Sequence, residues 1–174
     1  MSTSENAARP ISADVADWSR EHKPFLAWQP GRSLLASLRA YQRLAGRRGP
    51  FAMMGRKIAV LRHRFWSVVS GADIPLNSQV GGGLLIPHPN GIVIHPRATV
   101  GVNCLIHQQV TIGVGGRPGG VPRIGGHVDI GAGAKILGGL VVGDHARVGA
   151  NAVVLADVPT GATAVGIPAR VISS

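Results

Sequence analysis

The sequence predicts a triangular parallel β-helix preceded by a short basic helical segment. Aliphatic residues recur every six positions from residue 74 onward, glycine often follows them, and aromatic residues make up only 4% of the chain. A helix repeats every 3.6 residues and an ordinary strand every 2, so neither explains a period of six. Stacked six-residue units explain it, because each unit buries its apolar side chain only against its neighbours.

The six-residue units each predict one short strand and one corner, with two side chains pointing inward. The aliphatic positions are Ile74, Val80 and Ile86, then Ile94, Val100, Ile106 and Ile112, then Ile124, Ile130, Ile136, Val142, Val148 and Val154. Small or aliphatic residues stand four positions later at Ser78, Ala98, Cys104, Val110, Val128, Ala134, Ala146 and Ala152. Three units close a coil of 18 residues, so the repeat predicts about five coils.

Two stretches interrupt this repeat. Eight residues separate Ile86 from Ile94, and the extra two fall in the sequence PHPNG at 87–91, which predicts a widened corner carrying His88. The second stretch, GVGGRPGGVP at 113–122, predicts a loop projecting from a coil. A plain surface loop is the simple interpretation, but long loops in regular folds often carry function.

Residues 1–70 differ from the repeat at 71–174 in charge and period, so we divide the chain there. The first part has 12 Lys/Arg and 4 Asp/Glu, a net +8, and the second has 6 and 4, a net +2. Apolar residues at helical spacing predict helices over 31–48 and about 51–69. They are Leu34, Leu35, Leu38, Tyr41 and Leu44 in the first helix, and Met54, Ile58, Leu61, Phe65 and Val68 in the second.

Composition also bears on location and partners. The single cysteine allows no internal disulfide, and neither a membrane-spanning apolar stretch nor a signal-peptide pattern is apparent, so we expect a cytoplasmic protein. A basic segment can contact an anionic membrane surface, an acidic partner or nucleic acid, and we disfavour nucleic acid. A solvated helical face is the simpler interpretation. The basic residues are Arg39, Arg43, Arg47, Arg48, Arg56, Lys57, Arg62 and Arg64.

Several segments together resemble the left-handed β-helix acyltransferases built of hexapeptide repeats, and among them the serine acetyltransferases and related enzymes of surface-polysaccharide clusters. The matching segments are ADI at 72–74, PHPNGIVI at 87–94, VTIG at 110–113, VDIGAGAKILG at 128–138 and VGANAVVLADVP at 148–159. The resemblance covers roughly residues 72–172. It implies a left-handed β-helix, a homotrimer or a dimer of trimers, and active sites between subunits that use acetyl-CoA as co-substrate.

The same resemblance implies that His88 is the catalytic base and that Asp73, fifteen residues earlier, orients it. The chemistry suits this pair. An alcohol that attacks a thioester carbonyl must lose its proton, and histidine side chains titrate near neutral pH. A carboxylate on the other ring nitrogen fixes the tautomer and stabilises the imidazolium. Without the resemblance, a histidine between two prolines is simply a corner residue.

Further site residues follow from the resemblance alone. In the family, CoA lies in the groove between subunits, and the loop of a neighbouring subunit covers the active site. The candidates are Ala132 and Ala150 for backbone contacts to CoA, Lys135, Arg147 and Arg170 for its phosphates, and His107, Arg117 and Arg123 for the acceptor. For each basic residue, a solvated surface charge is the alternative.

The sequence departs from the serine acetyltransferase pattern at two places. Pro87 stands where the family has an aspartate before its catalytic histidine, and Val121-Pro122-Arg123 lacks the family's second histidine. Acetyl transfer to serine, in cysteine biosynthesis, is the leading hypothesis. A sugar or polysaccharide hydroxyl is the alternative acceptor, and a non-catalytic scaffold with a basic docking segment is the alternative of another class.

Four histidines also raise the question of a metal. Some left-handed β-helix proteins bind zinc with three histidines between subunits, and His127 and His145 stand 18 residues apart, so they should stack on one side of the prism. His95 and His107 complete the set. The acyltransferase segments argue against this interpretation, and we expect no metal. Cys104 falls at an inward position and is expected in the core.

Overall fold

Three sheets, parallel except for the antiparallel pairing of the last two strands, form the sides of a triangular prism in the computed structural model, which describes residues 11–24, 26–116 and 119–172. Sheet A contains β2 (Val93–Ile94), β5 (Thr111–Gly113), β8 (Lys135–Leu137) and β11 (Val153–Val154). Sheet B contains β1 (Gln79–Val80), β3 (Thr99–Val100), β6 (Arg123–Ile124) and β9 (Val141–Val142). Sheet C contains β4 (Leu105–Ile106), β7 (Asp129–Ile130), β10 (Arg147–Val148), β12 (Thr163–Gly166) and β13 (Ala169–Ile172).

The register between neighbouring coils confirms the predicted repeat and both interruptions. Arg123 pairs with Val141, a step of 141 − 123 = 18 residues. The coil that contains PHPNG is two residues longer, since Gln79 pairs with Thr99. The coil that contains the loop at 113–122 is six residues longer, since Thr99 pairs with Arg123. Both insertions therefore leave the strands stacked and place the extra residues at corners.

The interior holds the residues that the repeat places inward. The aliphatic positions from Ile74 to Val154 are at most 7% exposed, and the small positions from Ser78 to Ala152 at most 2%. Burying one such aliphatic side chain contributes about 1.5–3 kcal/mol. Because every coil adds the same kind of layer, the prism is stabilised along its whole length.

Two corners of the prism contain residues with left-handed backbone conformations. We call the corner between sheets C and A the His88 corner and the corner between sheets B and C the Asn103 corner. The His88 corner includes Gly71, Gly91, Gln109, Gly133 and Asn151, and the Asn103 corner includes Gly83, Asn103, His127, His145 and Gly161. Glycine adopts this conformation most readily, and asparagine and histidine are enriched in it among the other residues, whereas glutamine adopts it less readily.

A helical hairpin covers one end of the prism. Helix α1 (Pro30–Ala45) buries Leu34, Leu35 and Leu38 against the first coil. A side chain at Gly31 would lie 2.5 Å from the Ile86 carbonyl oxygen, so α1 can approach this closely only with glycine there. The helix ends three residues before the predicted position 48, and Gly46 follows it. Helix α2 (Pro50–Ser70) follows and ends at Gly71 in the left-handed conformation.

Helix α2 packs through a narrow side and leaves its apolar stripe in solvent. Ala59, His63 and Ser70 are its buried residues, and His63 Nε2 donates a hydrogen bond to the Ile74 carbonyl oxygen at 2.9 Å. Burial lowers the pKa of His63. Neither helix of the described chain has the length and hydropathy that a membrane span requires.

The segment before the hairpin runs along the Asn103 corner. Asn103 Nδ2 donates to the carbonyl oxygens of Ser12 and Val15, and its Oδ1 accepts from the Asp17 N–H, each at 2.8 Å. A 3₁₀ helix (Trp18–Glu21) follows. Glu21 then forms an ion pair of 2.8 Å with Arg39 of α1, which also donates to two carbonyl oxygens of the first coil. One polar network thus joins this segment, the hairpin and the prism.

Candidate active site

His88 lies in the solvent-exposed corner that the two inserted residues widen. Leu85 pairs with Leu105 at a step of 20 residues, whereas Val93 pairs with Thr111 at a step of 18. Between these points the Gly91 N–H donates to the Gly71 carbonyl oxygen at 2.7 Å. The backbone of the corner is therefore held on both sides while the imidazole projects outward.

Asp73 lies at the same corner, on the sheet A side and one coil earlier. Its N–H donates to the Ile92 carbonyl oxygen at 2.8 Å, and its carbonyl accepts from the Ile94 N–H at 3.0 Å. Its carboxylate is exposed. Among the described residues of this single chain, no hydrogen bond or ion pair joins Asp73 to His88. The contact between them remains a prediction, and it requires one of the two exposed side chains to turn toward the other.

A surface cavity of about 290 Å³ adjoins Asp73 on the outer side of sheet A. Its lining includes His95, Thr111 and Val114, so the predicted loop at 113–122 begins at its rim. His95 Nδ1 accepts from the Arg97 N–H at 3.2 Å. From the sequence, His95 is a candidate only as a metal ligand. His95 follows the outward-facing strand residue Val93 by two positions, so its side chain faces the same side of sheet A. Because Val93 pairs with Asp73, this spacing is the sequence signal that places His95 beside Asp73.

A second cavity, of about 360 Å³, adjoins the His88 corner where the hairpin meets the first coil. Trp28, Gln29 and Arg32 line it from the hairpin side, and Leu85 and Pro87 from the coil. Arg32 Nη1 donates to Gln29 Oε1 at 3.2 Å and to the His22 carbonyl oxygen. The repeat carries no signal for this cavity, because it depends on how α1 packs against the prism.

Ala132 and Ala150 extend the His88 corner along the prism. The Asn151 N–H donates to the Ala132 carbonyl oxygen at 2.8 Å, so the two alanines stack one coil apart. With neighbouring strands about 4.8 Å apart, the coil of Ala150 lies about 14 Å from that of His88. Lys135 flanks this line on sheet A and Arg147 on sheet C. The structure thus aligns His88, both alanine candidates and two of the three cationic candidates along one edge.

Comparisons with known proteins identify relatives of the chain. The chain is 38% identical to a serine acetyltransferase of Helicobacter pylori strain J99 over 175 residues, which cover 99% of this chain and 98% of that protein. The chain belongs to the serine acetyltransferase family. A serine acetyltransferase of Synechococcus elongatus is 45% identical over 107 residues, 60% of this chain and 44% of the relative. The chain spans less than half the length of this and similar curated relatives.

The solved structures give the same result for the fold. The Brucella abortus serine acetyltransferase in complex with coenzyme A superposes with a TM-score of 0.70 at 32% identity, over 84% of this chain and 57% of that chain. The prism is accordingly the left-handed parallel β-helix that the sequence predicts. No model of a protein family matches the chain.

The remaining serine acetyltransferase candidates lie in different places. His107 is half-buried and is the first residue of the His88 corner in the next coil. Arg123 is exposed on sheet B, which is the side of the triangle opposite that corner. Arg170 is exposed on β13, where its backbone pairs with Val165. Arg117 lies outside the described residues. The roles proposed for all four remain predictions.

Two features of the Asn103 corner have no place in serine acetyltransferase chemistry. Cys104 is fully buried, and burial raises the pKa of its thiol to about 11, so it is a core residue and a poor nucleophile. His127 and His145 stack as the 18-residue spacing predicts, with their Nδ1 atoms 2.8 Å apart. Within the described chain, no group of three or more His, Cys, Asp or Glu side chains could hold a metal ion.

Proposed function

We propose that this member of the serine acetyltransferase family is a CoA-dependent O-acetyltransferase with L-serine as its acceptor, acting in the cytoplasm in cysteine biosynthesis. The observation that carries the proposal is the match to a serine acetyltransferase over 98% of that relative's length. The exposed position of His88 at a widened corner supports it, since a base must be accessible to its substrate.

In the proposed reaction, His88 accepts the proton of the acceptor hydroxyl as its oxygen attacks the thioester carbonyl of acetyl-CoA. The tetrahedral intermediate collapses by breaking the carbon–sulfur bond, and the imidazolium returns the proton to the CoA sulfur. Asp73 would hold the second ring nitrogen and stabilise the imidazolium. The products are the acetyl ester and CoA, and the enzyme forms no covalent intermediate.

The cavity beside the His88 corner is the proposed acceptor pocket. It adjoins Pro87, and Arg32 is the charged residue among those that line it. A guanidinium pairs well with a carboxylate, which L-serine has and a neutral sugar lacks. Pro87 gives this site one carboxylate fewer than the family pattern, so the acceptor's ammonium group loses a partner. This loss is the observation that favours a sugar hydroxyl as the second candidate acceptor.

We also propose that the chain assembles as a homotrimer with its active sites between subunits. Arg123 lies on the side of the prism opposite His88, so it could reach a site only on a neighbouring subunit. Lys135 and Arg147 flank an exposed edge rather than a pocket. A second subunit facing this edge would complete a groove for the extended arm of CoA.

The proposal is tested by thiol release from acetyl-CoA with L-serine, L-homoserine, and free and nucleotide-linked sugars. We expect turnover with L-serine, and a KM for serine raised about tenfold in Arg32→Met with little change for acetyl-CoA. Arg97→Met, at another corner, is the control. Turnover with a sugar alone, unaffected by Arg32→Met, would replace serine as the acceptor. No turnover and no binding of acetyl-CoA would favour the non-catalytic scaffold.

A further inference from the structure

A long apolar stripe on α2 is left uncovered by the other residues that the structure describes. Its members follow one another at alternating steps of three and four residues, so they lie on one side of the helix. They are 50–92% exposed. The members are Phe51, Met54, Ile58, Leu61, Phe65 and Val68. With a rise of 1.5 Å per residue, the stripe extends over about 25 Å. A monomeric soluble protein rarely exposes such a continuous apolar strip.

Cations border this stripe on both edges. At 100° per residue, Lys57 and Arg64 lie beside one edge of the stripe and Arg62 beside the other, and all three are exposed. Arg47 and Arg48 are exposed in the turn that precedes α2. No Asp or Glu occurs in the sequence from His22 to Ala72. The stripe and its borders therefore present apolar and positively charged groups together.

This charge pattern opposes the pairing of two copies of α2. If two such stripes faced each other, the cations at their edges would meet other cations, with no carboxylate from either helix between them. Like charges at such close range are destabilising. The complementary surface must therefore supply negative charge together with apolar groups.

The apolar surface is also wider than one partner helix would cover. The rings of Phe65 and Trp66 are in contact with centroids 5.0 Å apart, and Trp66 contacts Trp28 at 5.7 Å. Trp28 is 73% exposed and Leu26 is 91% exposed, although both precede α1. Exposed tryptophan beside an amphipathic helix is typical of the membrane–water interface, where the ring sits at the level of the headgroups.

We propose that this surface, which we call the α2 stripe, docks the protein on an anionic lipid membrane. The apolar side chains would enter the boundary between headgroups and acyl chains, and the bordering arginines and lysine would contact lipid phosphates. The helix would lie in the plane of the interface. The proposal does not depend on the acetyltransferase function.

Co-sedimentation of the full chain with vesicles tests it. Vesicles of phosphatidylcholine with about 30% phosphatidylserine are compared with pure phosphatidylcholine vesicles at low and high salt. We expect binding to the anionic vesicles alone, weakened by salt. Leu61→Ser and Arg64→Glu should each weaken it roughly tenfold or more. Both side chains are exposed, so circular dichroism should show an unchanged fold.

Two matched variants test whether vesicle binding depends on the α2 stripe itself or on exposed apolar and charged residues in general. Val15→Ser removes an exposed apolar side chain elsewhere, and Arg97→Glu makes the same change of charge on the prism. Both should bind vesicles within about twofold of the unmodified chain. Equal losses in the variants and their controls would overturn the proposal, as would absent sedimentation with anionic vesicles. Self-association that Leu61→Ser abolishes, without vesicle binding, would assign the stripe to a second copy instead.

Discussion

The His88 corner and the Asn103 corner are built on the same plan and differ in what covers them. Each contains a column of residues in the left-handed conformation, one per coil, beside the same buried layers. Residues 12–17 cover the Asn103 corner as far as the coil of Gly126 and hydrogen-bond both polar groups of the Asn103 side chain, whereas His145 and Gly161 farther along are exposed. At the His88 corner, the side chains of His88, Asn90, Gln109, Ala150 and Asn151 remain exposed.

The comparison shows where a repeat protein can vary without cost to its core. The inward residues must keep their volume and shape in every coil, because each layer of side chains packs against the layers of the neighbouring coils. Corner residues lie outside these inward layers, so insertions and unusual side chains are tolerated there. The covered corner fastens the N-terminal segment, and the open corner is available for chemistry.

The largest expected effect is on the rate of acetyl transfer, which should depend on the His88 corner and not on the Asn103 corner. We expect His88→Ala to lower kcat for acetyl transfer by about 10²–10⁴-fold, because it removes the proposed general base. The melting temperature should stay unchanged, since the imidazole is exposed and makes no hydrogen bond within the described chain. Thiol release and thermal unfolding measure the two properties.

The matched control for this experiment is His145→Ala, which removes an exposed imidazole from the other corner. It should retain activity within about twofold, since that corner has no proposed role in the reaction. Similar losses in both variants would show that the openness of the His88 corner does not mark the catalytic site.

The second effect is on the free energy of unfolding, which should fall more when the asparagine of the Asn103 corner is replaced than when that of the His88 corner is. Asn103→Ala removes three hydrogen bonds from a buried side chain, whereas Asn151→Ala removes an exposed side chain with the same left-handed backbone. At about 1 kcal/mol per hydrogen bond, the first variant should lose about 2–3 kcal/mol more stability than the second. The backbone penalty of alanine cancels in the difference.

Urea unfolding measures this difference, and proteolysis of the N-terminal segment reports its release from the corner. If both variants lose the same stability and neither becomes more sensitive to protease, residues 12–17 would not be held by Asn103.

How far the sequence predicts these features depends on whether they are set by local spacing. The six-residue period places Ile106 and Ala134 in the core, and the eight-residue gap after Ile86 places His88 at a wide corner. Both follow from counting along one chain. The cavity at Arg32 depends on the packing of α1, which no local pattern encodes. Whether Asp73 reaches His88 depends on side-chain rotation, and spacing alone does not fix it.

A third, smaller effect tests whether CoA follows the open edge. Lys135 is half-buried beside the His88 corner, where its Nζ donates to the Gln109 carbonyl oxygen. We expect Lys135→Met to raise the KM for acetyl-CoA about fivefold, or about 1 kcal/mol, with kcat nearly unchanged. Arg97→Met, at the corner between sheets A and B, should leave this KM unchanged. A normal KM in Lys135→Met would place the CoA phosphates elsewhere.

The smallest expected effect is on the pH dependence of stability and concerns His127 at the Asn103 corner. Burial lowers the pKa of His127, while Asp129 raises it and His145, Arg20 and Arg147 lower it. The unfolded chain, with an ordinary histidine pKa of about 6.5, therefore binds this proton more readily than the folded chain. The stabilising contribution is complete above pH 6.5 and is lost as the pH falls through the lower folded value.

In physical terms, the two rings share one hydrogen bond between their Nδ1 atoms, and once both Nδ1 atoms carry a proton this hydrogen bond is replaced by repulsion. We therefore expect the urea midpoint of the unmodified chain to fall between pH 7 and pH 5 more steeply than that of His127→Gln. His22→Gln, which removes an exposed histidine outside this pair, is the control and should change the slope less than His127→Gln does. His63 shares the direction of the shift and remains in all three proteins, so it cancels from the comparison. If His127→Gln keeps the full slope, the stacked pair has no part in acid sensitivity, and buried His63 would account for it.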